Sequence, residues 1–189
     1  MVKKRTSEYK INKLILNRWS PRAMSGEAIT TQELMTIFEA GRWAPSAYNG
    51  QPWKFLYAKK GTKEWDIFYN TFVEFNKSWI NNASVLVLIV SNKILFDKDS
   101  PTNQFDAGAA WENMALQAYS MKLVIHGMSG FDYDKARTDL EVPNTYDVLA
   151  MFAIGKPAPK KTLSKELKKK EIKSDRKPLS EIIVEGKFK

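Results

Sequence analysis

Arg18, Ser20 and Arg22 alternate along the stretch "NRWSPR". Alternate side chains of an extended segment share one side, so two guanidinium forks and a hydroxyl would converge there. A phosphate suits that set, because bidentate charge-assisted hydrogen bonds match its oxygens. The alternative is a pair of surface arginines at the end of a helix, which the helix dipole favours by itself. A second stretch, "APSAYNGQPW", sets Ser46 and Asn49 between Pro45 and Pro52. The prolines stiffen the backbone, which could approach a flat ligand closely or form an ordinary turn. In "GMSGF", glycines on both sides of Met128 and Ser129 would let a turn aim N–H groups into a site, although such turns are common. Near the C-terminus Arg176 and Lys177 precede a short apolar run; the plain reading of these is surface charge.

Other chemistry is excluded by residue type. The chain has no cysteine and one histidine, His126, so disulfides, thiolate nucleophiles and histidine-rich metal cages are ruled out. There is no GxSxG, no phosphate-loop lysine motif and no GxGxxG after a strand. If the chain is an enzyme, a bound cofactor carries the chemistry.

The elements that would position these residues follow from apolar periodicity. Ser7 to Asn17 places Ile11, Leu14 and Ile15 at helical spacing, and Pro21 prevents continuation. Thr30 and Glu33 form a potential capping box, followed by the stripe Leu34, Ile37, Phe38 and Gly41. "KFLYAKKG" predicts a strand ending in a turn at Gly61, and "KEWDIFYNTFVEF" predicts a helix. "SVLVLIV" is continuously apolar, which implies a strand buried on both faces. A long helix over "FDAGAAWENMALQAYSMKL", a short strand at "VIHGM" and a buried strand at "YDVLAMFAIG" follow. The tail is mostly irregular and could close with a strand at Ile182, Ile183 and Val184. Strands separated by helices predict an α+β or α/β domain.

The formal charge is +9, but from residue 156 to the end twelve Lys/Arg stand against five Asp/Glu. The excess therefore sits in the tail, and it lacks interleaved aromatics, so a solvated basic surface is expected and nucleic acid is not the expected partner. "MVKKRTSEYKINK" has no apolar run after its basic residues, and "SVLVLIV" is too short to cross a bilayer. The expectation is a soluble cytoplasmic protein.

In this order, the Arg-x-Ser-x-Arg segment, "APSAYNGQPW", the buried strand, "DAGAAWENMALQA", "SGFD", "IGKP" and "DRKPLSEI" resemble the nitroreductase family of FMN-dependent oxidoreductases. The resemblance implies one α+β domain over residues 1–189, with a central, mainly antiparallel sheet flanked by helices. It also implies an intertwined homodimer in which residues 156–189 form an extended arm. FMN would lie at the subunit interface. NADH or NADPH would deliver hydride to flavin N5, and a nitroaromatic, quinone or similar acceptor would then take its place. Carried over by position, Arg18, Trp19 (through its backbone), Ser20 and Arg22 contact the phosphate, ribityl chain or pyrimidine edge. Pro45, Ser46, Ala47 and Asn49 come from the partner. Asn76 reaches the pyrimidine side, Met128, Ser129 and Gly130 approach N5, and Arg176 holds the phosphate. Ser129 stands where some relatives have Glu, and Ser174 replaces a basic residue for which Lys177 would compensate. The segment from Val90 to Asp106 is shorter than the helical lid of larger relatives, which implies a more open site.

Overall fold

The computed structural model describes residues 5–188; the first basic residues of the N-terminal segment lie outside them. Its organising element is β2 (Val85–Asn92), apolar on both faces and buried through Ser91. Such a strand must be covered on both sides. It lies second in an antiparallel sheet with β1 (Trp53–Lys59), β6 (Tyr146–Gly155) and β5 (Val124–Met128), in the order β1-β2-β6-β5. Val85, Val87 and Ile89 face one core, packed with Leu34 and Ile37 of α2 (Thr31–Arg42) and Ala107, Ala110 and Met114 of α5 (Asn103–Ser120). Leu86, Leu88 and Val90 face another, against α3 (Lys63–Thr71), α4 (Glu74–Ile80) and α6 (Tyr133–Asp139). The expected architecture, an antiparallel sheet between helices, is what is found.

The register between β2 and β6 slips once. Ile89 faces Ala150, but Val90 faces Val148, leaving Leu149 unmatched. Leu149 and Ala150 therefore both pack on the α5 side, while Val148 and Met151 pack on the other. The bulge brings two neighbouring side chains to one face.

Local signals explain several boundaries. Thr30 Oγ1 accepts from Glu33 N at 3.1 Å and Glu33 Oε2 accepts from Thr30 N at 2.7 Å, the expected capping box. Gly41 lets α2 meet α5, since a Cβ there would lie 2.8 Å from Met114 Cγ. The first helix is shorter than its periodicity suggests: α1 spans Lys13–Asn17, capped by the Asn12 side chain. The single helix expected up to Phe75 is broken, because Phe72 and Val73 are extended. There the backbone is claimed by a neighbouring loop: Asp132 N donates to Thr71 O at 2.8 Å and Val73 N donates to Gly130 O at 3.2 Å. Between β2 and α5 lies a two-residue ladder, β3 (Ile94–Leu95) with β4 (Lys98–Asp99).

The tail is attached at its start. Ser25 N donates to Lys156 O and Ala158 N donates to Ala23 O, each at 3.0 Å. It contains a short helix, α7 (Lys165–Lys170), and Leu163 and Leu167 are buried in the core. The closing strand expected at Ile182 to Val184 does not form. These side chains are exposed, and among the described residues no strand offers its edge to their backbone. No helix among the described residues is long and apolar enough to cross a membrane.

Candidate functional site

Past α1 the chain leaves helical geometry at Arg18, whose Nη1 donates to Ser20 Oγ at 3.3 Å. The segment is fixed from below by His126 of β5, whose Nδ1 lies 3.0 Å from Pro21 O. Burial pushes the pKa of His126 down to about 4, against the pull of its hydrogen bond to Pro21. The neutral ring then donates its Nδ1 proton, because a carbonyl can only accept. His126 also packs against Trp79, with ring centroids 4.7 Å apart.

Arg22 departs from the alternation reading. Its backbone N–H donates to both oxygens of Glu171, at 2.9 and 3.0 Å, and Ala23 N donates at 3.0 Å. Its guanidinium lies 3.9 Å from the same carboxylate and 6.0 Å over the Trp79 ring. Glu171 is a buried anion that takes Arg22 away from its two neighbours.

Arg18 and Ser20 line a cavity of about 600 Å³. Gln104, Ala107, Gly108 and Trp111, spaced i, i+3, i+4, i+7 on α5, supply one wall. Gly108 is the informative member. A Cβ built there would meet nothing within 4 Å, so neither packing nor turn geometry requires a glycine in mid-helix. Glycine costs a helix roughly 0.5–1 kcal/mol relative to alanine; here it leaves room on the cavity side. Trp111 stacks on Phe152, with centroids 4.3 Å apart and planes at 25°. Leu149 and Ala150 from the bulge line the cavity too, as do Met128 and Ser129 at the end of β5.

The turn after β5 is pinned from behind. Asn76 Nδ2 donates to Gly130 O at 2.9 Å, beside the bond from Val73 N. A Cβ at Gly130 would fall 2.7 Å from that amide nitrogen. A second cavity of about 330 Å³ shares Arg18 and is lined also by Arg5, Arg176, Ser174, Glu112 and Asp175. Apart from Arg18, no titratable residue lines the main cavity among the described residues.

A sequence profile of the Nitroreductase family matches residues 15–70 and 58–156. The chain belongs to the nitroreductase family. A solved oxidoreductase containing FMN is 41% identical with a TM-score of 0.93, covering 98% of this chain and 96% of that one. A candidate nitroreductase in complex with FMN from Desulfovibrio desulfuricans is 27% identical, TM-score 0.74, covering 95% and 100%. An oxygen-insensitive NADPH nitroreductase of Helicobacter acinonychis is 38% identical over 64 residues, which is 34% of this chain and 30% of that protein.

In this nitroreductase-family chain the residues singled out from sequence divide into three groups. Arg18, Ser20, Met128 and Ser129 line the main cavity, and Arg176 lines the adjoining one. Asn76, Gly130 and Arg22 stand behind the cavity walls, committed to the backbone and carboxylate contacts described above. Trp19, with Lys173 Nζ 5.7 Å above its ring, lines neither cavity. Pro45, Ser46, Ala47 and Asn49 also line neither. Their loop is nevertheless rigidly held. Tyr48, Asn49 and Gln51 take φ of 50°, 55° and 46°, left-handed values that cost L-residues about 1 kcal/mol or more each. Ala47 N donates to the buried carboxylate of Asp106 at 3.2 Å, and Gln51 N donates to Ser46 Oγ at 3.0 Å. The loop presents Tyr48 to solvent at 87% exposure.

Sequence reasoning missed Arg5, Glu171 and the α5 face. Glycine at position 108 inside a strongly helical pattern was the available signal for the last. The two charged residues carry none: Glu171 bonds to backbone 149 positions away, and Arg5 bonds to backbone carbonyls, one of them 169 positions away, which no side-chain pattern marks.

Proposed function

We propose that this chain is an FMN-dependent oxidoreductase that takes hydride from NADH or NADPH and passes it to nitroaromatics, quinones or similar flat acceptors. The observation that carries the reading is the joint between the two cavities. A slot walled by Trp111, Phe152, Leu149 and Ala150 meets, at Arg18, a smaller chamber that holds Arg5 and Arg176. A planar apolar ring with a phosphate tail matches that division, and the structure that is 41% identical contains FMN.

When bound, FMN supplies the ring that accepts and returns the hydride. The chain supplies the rest. Arg18 and Arg176 bind the phosphate through charge-assisted bonds, and the Ser20 hydroxyl serves the polar linker. The turn at Met128 and Ser129, fixed by Asn76 and Val73 N, offers backbone groups to the ring edge. The stacked pair Trp111 and Phe152 keeps water from one side of the slot. Among the described residues no carboxylate, histidine, lysine or tyrosine of this protomer lines the slot.

The reading extends to a homodimer in which Pro45, Ser46, Ala47 and Asn49 complete the partner's site and the end of the 156–189 arm, past Arg176, reaches around the partner. Support comes from the rigid, outward-facing Tyr48 and from the apolar Ile182, Ile183 and Val184 exposed at the end of the arm.

Purified protein should be yellow or take up added FMN. It should oxidise NADH or NADPH when given menadione or a nitrofuran. Protein that stays colourless with excess FMN would overturn the proposal; protein that binds flavin but turns over no acceptor would reduce it to flavin binding.

A further inference from the structure

Arg5 belongs to no motif, yet it makes three hydrogen bonds to carbonyls, two at the exit of α1 and one in the distant tail. Its Nη1 donates to Leu16 O at 3.2 Å and to Arg18 O at 2.7 Å, and its Nε donates to Ser174 O at 2.9 Å. The guanidinium thereby ties the exit of α1 to the tail, in the same chamber that Arg18 and Arg176 line. Those acceptors are neutral and leave the charge of Arg5 in place. Burial first, and then repulsion from Arg176 and Arg18, push Arg5 below the ordinary arginine pKa, against the attraction of Asp175. Three like charges gathered in one small chamber oppose one another unless an anion joins them. The chamber's own carboxylates are Asp175 and Glu112, the latter 3.6 Å from Arg18 and 46% exposed; two carboxylates against three guanidinium groups leave one positive charge in excess.

We propose that Arg5 is the third arginine of the phosphate end of the cofactor site, holding Arg18 and Arg176 in place around a phosphate monoester. This rests on the reading of the main cavity as a flavin slot. Arg5 acts on Arg18 and Arg176 through the backbone on either side and adds its own charge to theirs. The consequence is discrimination between flavins. Riboflavin has the same ring without the phosphate and gains nothing from Arg5, whereas FMN does.

Flavin-stripped full-length protein is titrated with FMN and, separately, with riboflavin, following the quenching of flavin fluorescence. Arg5→Ala should weaken FMN binding on the order of tenfold to a hundredfold and leave riboflavin nearly unchanged. Arg5→Lys should recover part of the loss, since it restores charge without the planar fork. Equal weakening for both flavins would make Arg5 a brace of the fold and overturn the inference, as would FMN binding unchanged in Arg5→Ala. A parent protein that binds neither flavin would overturn the cofactor reading itself, and the inference with it.

Discussion

Arg18 is shared by both cavities and also sits 3.6 Å from the Glu112 carboxylate. Its removal should be costly: Arg18→Ala is expected to weaken FMN binding by about 1.5–3 kcal/mol, the usual worth of a charge-assisted hydrogen bond. FMN retention on a desalting column checks this, and undiminished retention would refute the assignment. Glu112 competes with a phosphate for the same guanidinium. Because that carboxylate is half exposed, the pair is worth at most about 1 kcal/mol. Glu112→Gln should therefore tighten FMN modestly, by up to about fivefold, and a titration in which it loosens FMN would contradict the competition. At this scale the sequence was half legible. Alternation correctly suggested that Arg18 and Ser20 belong together. It failed for Arg22, whose fate is decided by a glutamate at position 171 that no local pattern connects to it.

Among the elements, α5 carries the clearest conflict between local stability and ligand space. Gly108→Ala should stabilise the flavin-free protein by about 0.5–1 kcal/mol, seen as a higher urea midpoint. Gly108→Leu should keep the helix but fill the slot and abolish flavin uptake; full uptake by the leucine variant would mean that the ligand does not approach this face. Elements defined by their own side chains were readable. The Thr30–Glu33 box and the stripe Leu34, Ile37 and Gly41 are examples. Elements shaped by long-range partners were not. The helix that should have run to Phe75 breaks because Thr71 and Val73 pair with the loop at Gly130 and Asp132, and Ile182 to Val184 pair with no strand among the described residues.

For the molecule as a whole, His126 links stability to acidity. Its folded pKa is lowered to about 4 from the ordinary 6.5, so the unfolded chain takes up a proton that the native chain refuses. The contribution is complete above pH 6.5 and is lost as pH falls from 6.5 toward about 4, for a total on the order of 3 kcal/mol. Urea melts across that window should show a decline that flattens in His126→Gln, which keeps a donor but does not titrate; parallel declines would assign the effect to other groups. The bond to the Pro21 carbonyl survives protonation, since an imidazolium also donates from Nδ1, so the loss comes from charging a buried ring and not from releasing the Arg18 segment.

The unmatched Leu149 has a further consequence, one of arithmetic. Ile89 faces Ala150 and Val90 faces Val148, so dropping that one amino acid would leave Val148 and Ala150 adjacent and still opposite their β2 partners. Each half of the strand would keep its present side, Phe152 and Ile154 toward α5, Tyr146 and Val148 away from it. Only the doubled presentation of Leu149 and Ala150 to the cavity would be lost. The surplus residue thus serves the slot and not the sheet.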